Sequence, residues 1–177
     1  MQILATREDY RLAWLAALAI TIHIAESALP SPLPGVKPGL ANVITVITLI
    51  RYGWGSAAWV SMLRVLAGSL LIGSFLSPTF LLSATGAVCA LIALGLGKQL
   101  SGGRLGPVGY SLLAAEAHMA GQFLTAYSLF IPHPELLRIF PLLMGLALLF
   151  GLVTGTIAHA VLTRLPAELD DRSLSRP

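Results

Sequence analysis

The sequence is poor in charge. Only 11% of its 177 residues are Asp, Glu, Lys or Arg, against roughly 25% in soluble domains, while 56% are hydrophobic. Water cannot be the main solvent of such a chain, and no soluble stretch is large enough to carry a function alone. A single cysteine, Cys89, excludes an internal disulfide and a thiolate metal cage. Acidic groups number eight, and only Glu26 and Glu116 fall inside apolar runs, so chemistry that needs clustered carboxylates has little to work with. No H-x-x-x-H pair or other compact ligand set occurs, which predicts no metal and no resident cofactor. No G-x-x-x-x-G-K-[ST] loop occurs either, so energy from ATP must come from a partner. The formal charge of +3 does not point to nucleic acid, because the bases sit at the ends of apolar segments, as membrane topology places them.

What the sequence has in abundance is long apolar runs. A helix needs about 20 residues to cross the roughly 30 Å hydrocarbon core, and cutting at Pro, Gly and charge clusters predicts an all-α integral membrane protein with six transmembrane helices. They run over about Arg11 to Leu29, Leu40 to Tyr52, Trp54 to Phe75, Thr79 to Leu96, Pro107 to Phe130 and Leu136 to Leu165. Residues 1–10 form a polar N-terminal segment, 11–165 the helical domain and 166–177 a polar tail. Helix 2 is too short to span unless it tilts or packs among its neighbours. The Pro-rich turn before it, Pro30 to Pro38, makes this region a place to look for a binding site, since irregular backbone at membrane depth is tolerated where it lines a cavity. With both termini on one side, eight of the eleven bases fall there (Arg7, Arg11, Arg51, Lys98, Arg104, Arg164, Arg172 and Arg176), which places both termini in the cytoplasm. The first run also has the outline of a signal peptide, with Ala25 and Ser27 before a break, but its removal would spoil that asymmetry.

Ionisable groups at membrane depth each need a partner or a wet cavity. Glu26 follows His23 at i,i+3, on one face of helix 1; an interfacial pair and a cavity wall are both open. Lys37 sits between Pro34-Gly35 and Pro38-Gly39, as a solvated loop lysine or a fixed cation at a cavity mouth. Arg64, in the middle of helix 3, needs a structural partner such as Glu116 or a ligand. Asn42 suits a helix cap or a ligand contact. Ser69 lies one turn beyond Arg64. On helix 5, His118 and Gln122 share a face, whereas Glu116 points about 200° away from His118; the first two are the cavity pair. Small residues four apart let helices touch: Ala13 with Ala17, Ala117 with Gly121, and Gly151 with Gly155. They pack the bundle internally, or, for helix 1, present a face to a partner subunit.

Three segments carry a family resemblance: Pro34-Gly35-Val36-Lys37-Pro38-Gly39-Leu40-Ala41-Asn42, Leu63-Arg64-Val65-Leu66-Ala67-Gly68-Ser69-Leu70-Leu71 and Ser77-Pro78-Thr79-Phe80-Leu81-Leu82-Ser83. The chain resembles, from Leu12 to Leu162, the Gx transporter family, also labelled heptaprenyl diphosphate synthase component I. Met119 follows His118 where the family tends to have Asn, so specificity there differs if that position touches ligand. The family in turn looks like the substrate-binding S components of energy-coupling factor (ECF) transporters in the bacterial cytoplasmic membrane. The resemblance implies capture of a vitamin or cofactor precursor, with the loop before helix 2 and the outer ends of helices 3, 5 and 6 as the pocket. It also implies docking through Ala13 and Ala17 onto a membrane coupling subunit driven by two ATPases. Glu26, Lys37, Asn42, Arg64, Ser69, His118 and Gln122 are the expected ligand-binding set, and two cations among them favour an anionic solute. The enzyme label fits less well. Prenyl diphosphate synthases hold Mg²⁺ with aspartate clusters, and the only Asp pair here is Asp170-Asp171. A non-catalytic membrane partner in prenyl or quinone metabolism stays open, as does a scaffold in a redox or flavin-linked complex.

Overall fold

The computed structural model describes residues 6–28 and 39–165, and helices are the only regular structure among them. The six are α1 (Arg7–Ala28), α2 (Ala41–Tyr52), α3 (Trp54–Ile72), α4 (Pro78–Leu100), α5 (Pro107–Thr125) and α6 (Pro134–Arg164), and a π-helical turn over Ala126–Phe130 follows α5. Lys37, the Pro-rich turn and the tail lie outside the described residues. Local chemistry sets the helix starts. Pro78, Pro107 and Pro134 occupy first-turn positions, where a missing N–H costs nothing, and the Ser77 side chain accepts from the Phe80 N–H. The ends differ from those the apolar runs predict. Helix 3 stops at Ile72 rather than Phe75 because Gly73 takes the left-handed conformation that closes it. Helix 4 runs on to Leu100 through Gly95 and Gly97, and the last turn of helix 5 is π rather than α.

Among the described residues, four helices are long and apolar enough to cross a membrane: α1 from Asp9, α3, α4 and α6. Helix α5 matches them in length, with 19 residues, but carries Glu116, His118 and Gln122. Helix α2 has 12 residues, about 18 Å, and resolves its own difficulty by position. It packs against α1, α3, α5 and α6, and Ala41 and every residue from Val43 to Leu49 are buried. A helix that is apolar on all sides belongs inside protein; α2 is the axle of the bundle rather than a free span. Only Gly53 separates it from α3, at φ +89°, a conformation in which a residue with a Cβ is strained.

The outer helices reverse the soluble pattern. Helix α6 buries Ala147, Gly151, Thr154, Gly155 and Ala158 and exposes Leu148, Leu149, Leu152, Val153 and Ile157. Small residues inside and large aliphatics outside suit packing in lipid, where close backbone contact rather than burial of bulk drives association. A Cβ on Gly155 would stand 2.7 Å from the Val108 Cα, and the neighbouring Ser111 and Thr154 hydroxyls lie 2.7 Å apart across α5 and α6. Gly155→Leu is therefore expected to destabilise the protein by about 1–3 kcal/mol, read from unfolding in mixed micelles. Gly145→Leu, with open space around it, serves as the control and leaves stability unchanged.

The helix ends sort by chemistry. Arg11, Arg51, Lys98, Arg104 and Arg164 gather at the end where α1 and α3 begin and α2, α4 and α6 finish. The exposed aromatics Tyr10, Trp14, Trp54 and Trp59 lie toward the same end, as in an interfacial belt. At the opposite end Arg138 pairs with Glu135 at 2.5 Å.

Candidate functional site

The polar residues at depth converge in the half of the bundle away from the basic end, around the start of α2. Glu26, near the C-terminus of α1, is 4% exposed. Its carboxylate accepts the Leu40 N–H at 2.6 Å and the Ala41 N–H at 3.5 Å, so it seats the N-terminus of α2, where unpaired amides and the helix dipole favour a negative charge. Besides the His23 pairing and the ligand contact that its spacing leaves open, the structure gives Glu26 a backbone role. Asn42, read as a helix cap, is not one. The residue flanking α2 is Leu40, with no side-chain cap bond, and the Asn42 Oδ1 instead accepts from the Arg64 Nη1 at 2.9 Å.

Arg64 is 5% exposed, inside the protein at the middle of α3. Its expected partner Glu116 does not serve it. On α5 it stands about 200° round the helix from His118, and among the described residues its Oε1 is buried without a partner of its own. Arg64 is held by Asn42, with the Glu26 carboxylate acting on it through space. Among the described residues its Nε has no hydrogen-bond partner. A buried guanidinium with an unused N–H is costly unless something completes it.

His118 and Gln122 meet as their spacing requires, both lying over Gly86 of α4. A Cβ at that glycine would fall 2.8 Å from the His118 Nε2 and from the Gln122 Cγ. The imidazole interacts with the Gly86 backbone, and Arg64 and His23 act on it electrostatically, while its Nδ1 is buried without a partner. His23 in turn rests on Gly68 of α3, at a place where a Cβ would stand 2.7 Å from its ring. Two glycines thus let two histidines approach the arginine. Gly68 stands in one of the segments that carry the family resemblance, whereas nothing in the sequence separates Gly86 from an ordinary packing glycine.

A cavity of about 250 Å³ opens beside this cluster, between the ends of α1 and α3 and the start of α4. His23 forms part of its wall and so belongs to both. Ser69 lines it too, with its hydroxyl donating to the Leu66 carbonyl at 2.9 Å. Ser27, Ser74, Thr79 and Ser83 add hydroxyls, and Val65, Ile72 and Phe80 the apolar surface. None of those four hydroxyl residues was singled out for the site, although Thr79 and Ser83 stand in one of the segments that carry the family resemblance. Among the described residues the lining contains no carboxylate, and the volume is at the small end for organic ligands.

Of the three small-residue pairs, two pack the bundle. Gly121 abuts Cys89, and Gly151 and Gly155 abut Leu112 and Val108. Ala13 and Ala17 do not. Both are exposed, and with Thr21 and Ala25 they continue an outward row at four-residue intervals.

A family model described as Heptaprenyl diphosphate synthase component I matches residues 15–161. No curated protein and no solved structure matches the chain.

Proposed function

Since the chain belongs to the heptaprenyl diphosphate synthase component I family, we propose that it acts there as a binding subunit rather than as a catalyst: an S component-like membrane protein that captures a small anionic vitamin or cofactor precursor. The observation that carries this reading is Arg64, a guanidinium inside the bundle with one neutral hydrogen-bond partner and an unused Nε–H. A carboxylate or phosphate oxygen is the group that completes such a site. The neighbouring His118, with an unpartnered Nδ1, supplies a second polar contact. The hydroxyl-lined cavity adjoins this cluster at His23.

In this reading the basic end is cytoplasmic and the cavity faces outward. The exposed row of Ala13, Ala17, Thr21 and Ala25 is where a coupling subunit and its ATPases dock, because small residues let a partner helix approach closely. Ala17→Trp is expected to abolish copurification of that partner while leaving ligand capture intact, since nothing in the fold covers Ala17. The test is native mass spectrometry of protein taken gently from its host membranes. A small molecule together with a coupling subunit and ATPases supports the reading.

A second reading rests on the family's description itself: a non-catalytic membrane partner of a prenyl-transferring enzyme. In that case a soluble synthase copurifies, no ATPase does, and deletion alters the prenyl product.

A further inference from the structure

At the basic end, far from the polar cluster, the helices leave a groove on the outer surface. It holds about 300 Å³ and is lined by Trp54, Ile92, Gly95, Leu96 and Gln99. Trp54 forms its floor. The indole Nε1 donates to the Leu91 carbonyl at 2.9 Å, and the ring lies so close to Gly95 that a Cβ there would come within 2.9 Å of that nitrogen. Ile92 and Leu96, both more than half exposed at 55% and 53%, give the groove an apolar body on the side toward the membrane interior. Gln99 gives it a polar mouth one turn further on.

A cation stands beside that mouth. The Lys98 Nζ reaches within 3.9 Å of the point where a Gly53 Cβ would lie, and Gly53 is the residue before Trp54. Arg51, in the last turn of α2, is exposed at the same end. The groove is therefore apolar toward the bilayer centre and basic where the chain leaves it, and the exposed Tyr10, Trp14 and Trp59 mark that depth as the headgroup boundary.

The geometry points to a site for one anionic phospholipid, its phosphate on Lys98 and an acyl chain along Ile92 and Leu96 beside Trp54. A zwitterionic lipid would fill the apolar body equally but gain nothing net from the cation. A water-soluble anion would satisfy Lys98 and leave the apolar body unfilled. The inference needs only that the chain sits in a bilayer, and it stands whether or not the protein binds a transported solute.

The full chain in lipid nanodiscs, with Trp14→Phe and Trp59→Phe leaving Trp54 as its one tryptophan, reads the groove directly. Its fluorescence is titrated with acyl-brominated phosphatidylglycerol and with acyl-brominated phosphatidylcholine. The anionic lipid is expected to half-quench at a roughly fivefold lower mole fraction, the advantage a single lysine confers at a membrane surface. In Lys98→Gln the two curves merge. Leu96→Asn, which wets the groove and keeps the charge, weakens quenching by both lipids. Equal quenching in the parent protein, a preference that survives Lys98→Gln, or no effect of Leu96→Asn would overturn the site. Loss of the preference on adding excess inorganic phosphate at constant ionic strength would also overturn it, by assigning the mouth to a free anion.

Discussion

Arg64→Met is expected to abolish capture of the small molecule while leaving the protein folded. The two halves of that result have separate causes. Removing a buried cation from a ligand's charged group costs about 2–5 kcal/mol of binding, which lowers affinity by roughly thirty-fold to several thousand-fold. Replacing a desolvated guanidinium with an apolar side chain of similar length is often neutral for stability. Here the replacement removes the unpartnered Nε and frees the Asn42 Oδ1, an uncharged acceptor, while the Glu26 carboxylate loses the guanidinium's charge and keeps its two backbone N–H donors. Native mass spectra of parent and variant protein from host membranes, with thermal unfolding in the same detergent, check both halves. Retention of the small molecule by Arg64→Met would move the site elsewhere. A large drop in melting temperature would make Arg64 a structural residue.

Glu26→Ala is expected to give the opposite profile, a large loss of stability before any specific loss of binding. Its carboxylate receives two backbone N–H groups at the start of α2, and α2 lies inside the bundle where no solvent can replace it. Orphaning those donors and removing the charge that acts on Arg64 costs about 2–5 kcal/mol. Glu26→Gln keeps an acceptor and loses only the charge, so its cost is nearer 1 kcal/mol. Unfolding of both variants in mixed micelles separates the cases. Equal destabilisation by Ala and Gln would mean that charge rather than the hydrogen bonds seats α2.

The contrast between these two residues shows how far sequence could be read. Arg64 was legible because an arginine in the middle of a long apolar run has no cheap explanation. Its partner was not, because Asn42 lies 22 positions away on another helix and no periodicity links the two. Glu26 was legible as unusual and illegible as a helix seat, since the amides it holds follow a turn of Pro and Gly whose path cannot be drawn from composition. His118 and Gln122 were placed correctly relative to one another because i,i+4 spacing is a local property. Gly86, which lets them approach α4, looked like any other glycine. The same division holds for Ala13 and Ala17. Their spacing is written in the chain, but the direction they face is fixed by α3, which packs on the other side of α1. The shortness of helix 2 was plain from the outset, and its enclosure followed only from how the other helices surround it.

That enclosure has a consequence for biosynthesis. As it emerges from the ribosome, a 12-residue helix offers an insertion channel too short an apolar stretch to partition into lipid alone. The walls that shelter it on two sides, α5 and α6, are synthesised last. Helix α2 must therefore enter the membrane as a passenger of its neighbours, tethered to α3 by the single residue Gly53 and held to α1 by Glu26. It reaches its final depth only when the C-terminal half of the chain arrives. Nascent chains halted after α3 are thus expected to leave α2 accessible to aqueous thiol reagents at introduced cysteines, and chains completed through α6 to protect it.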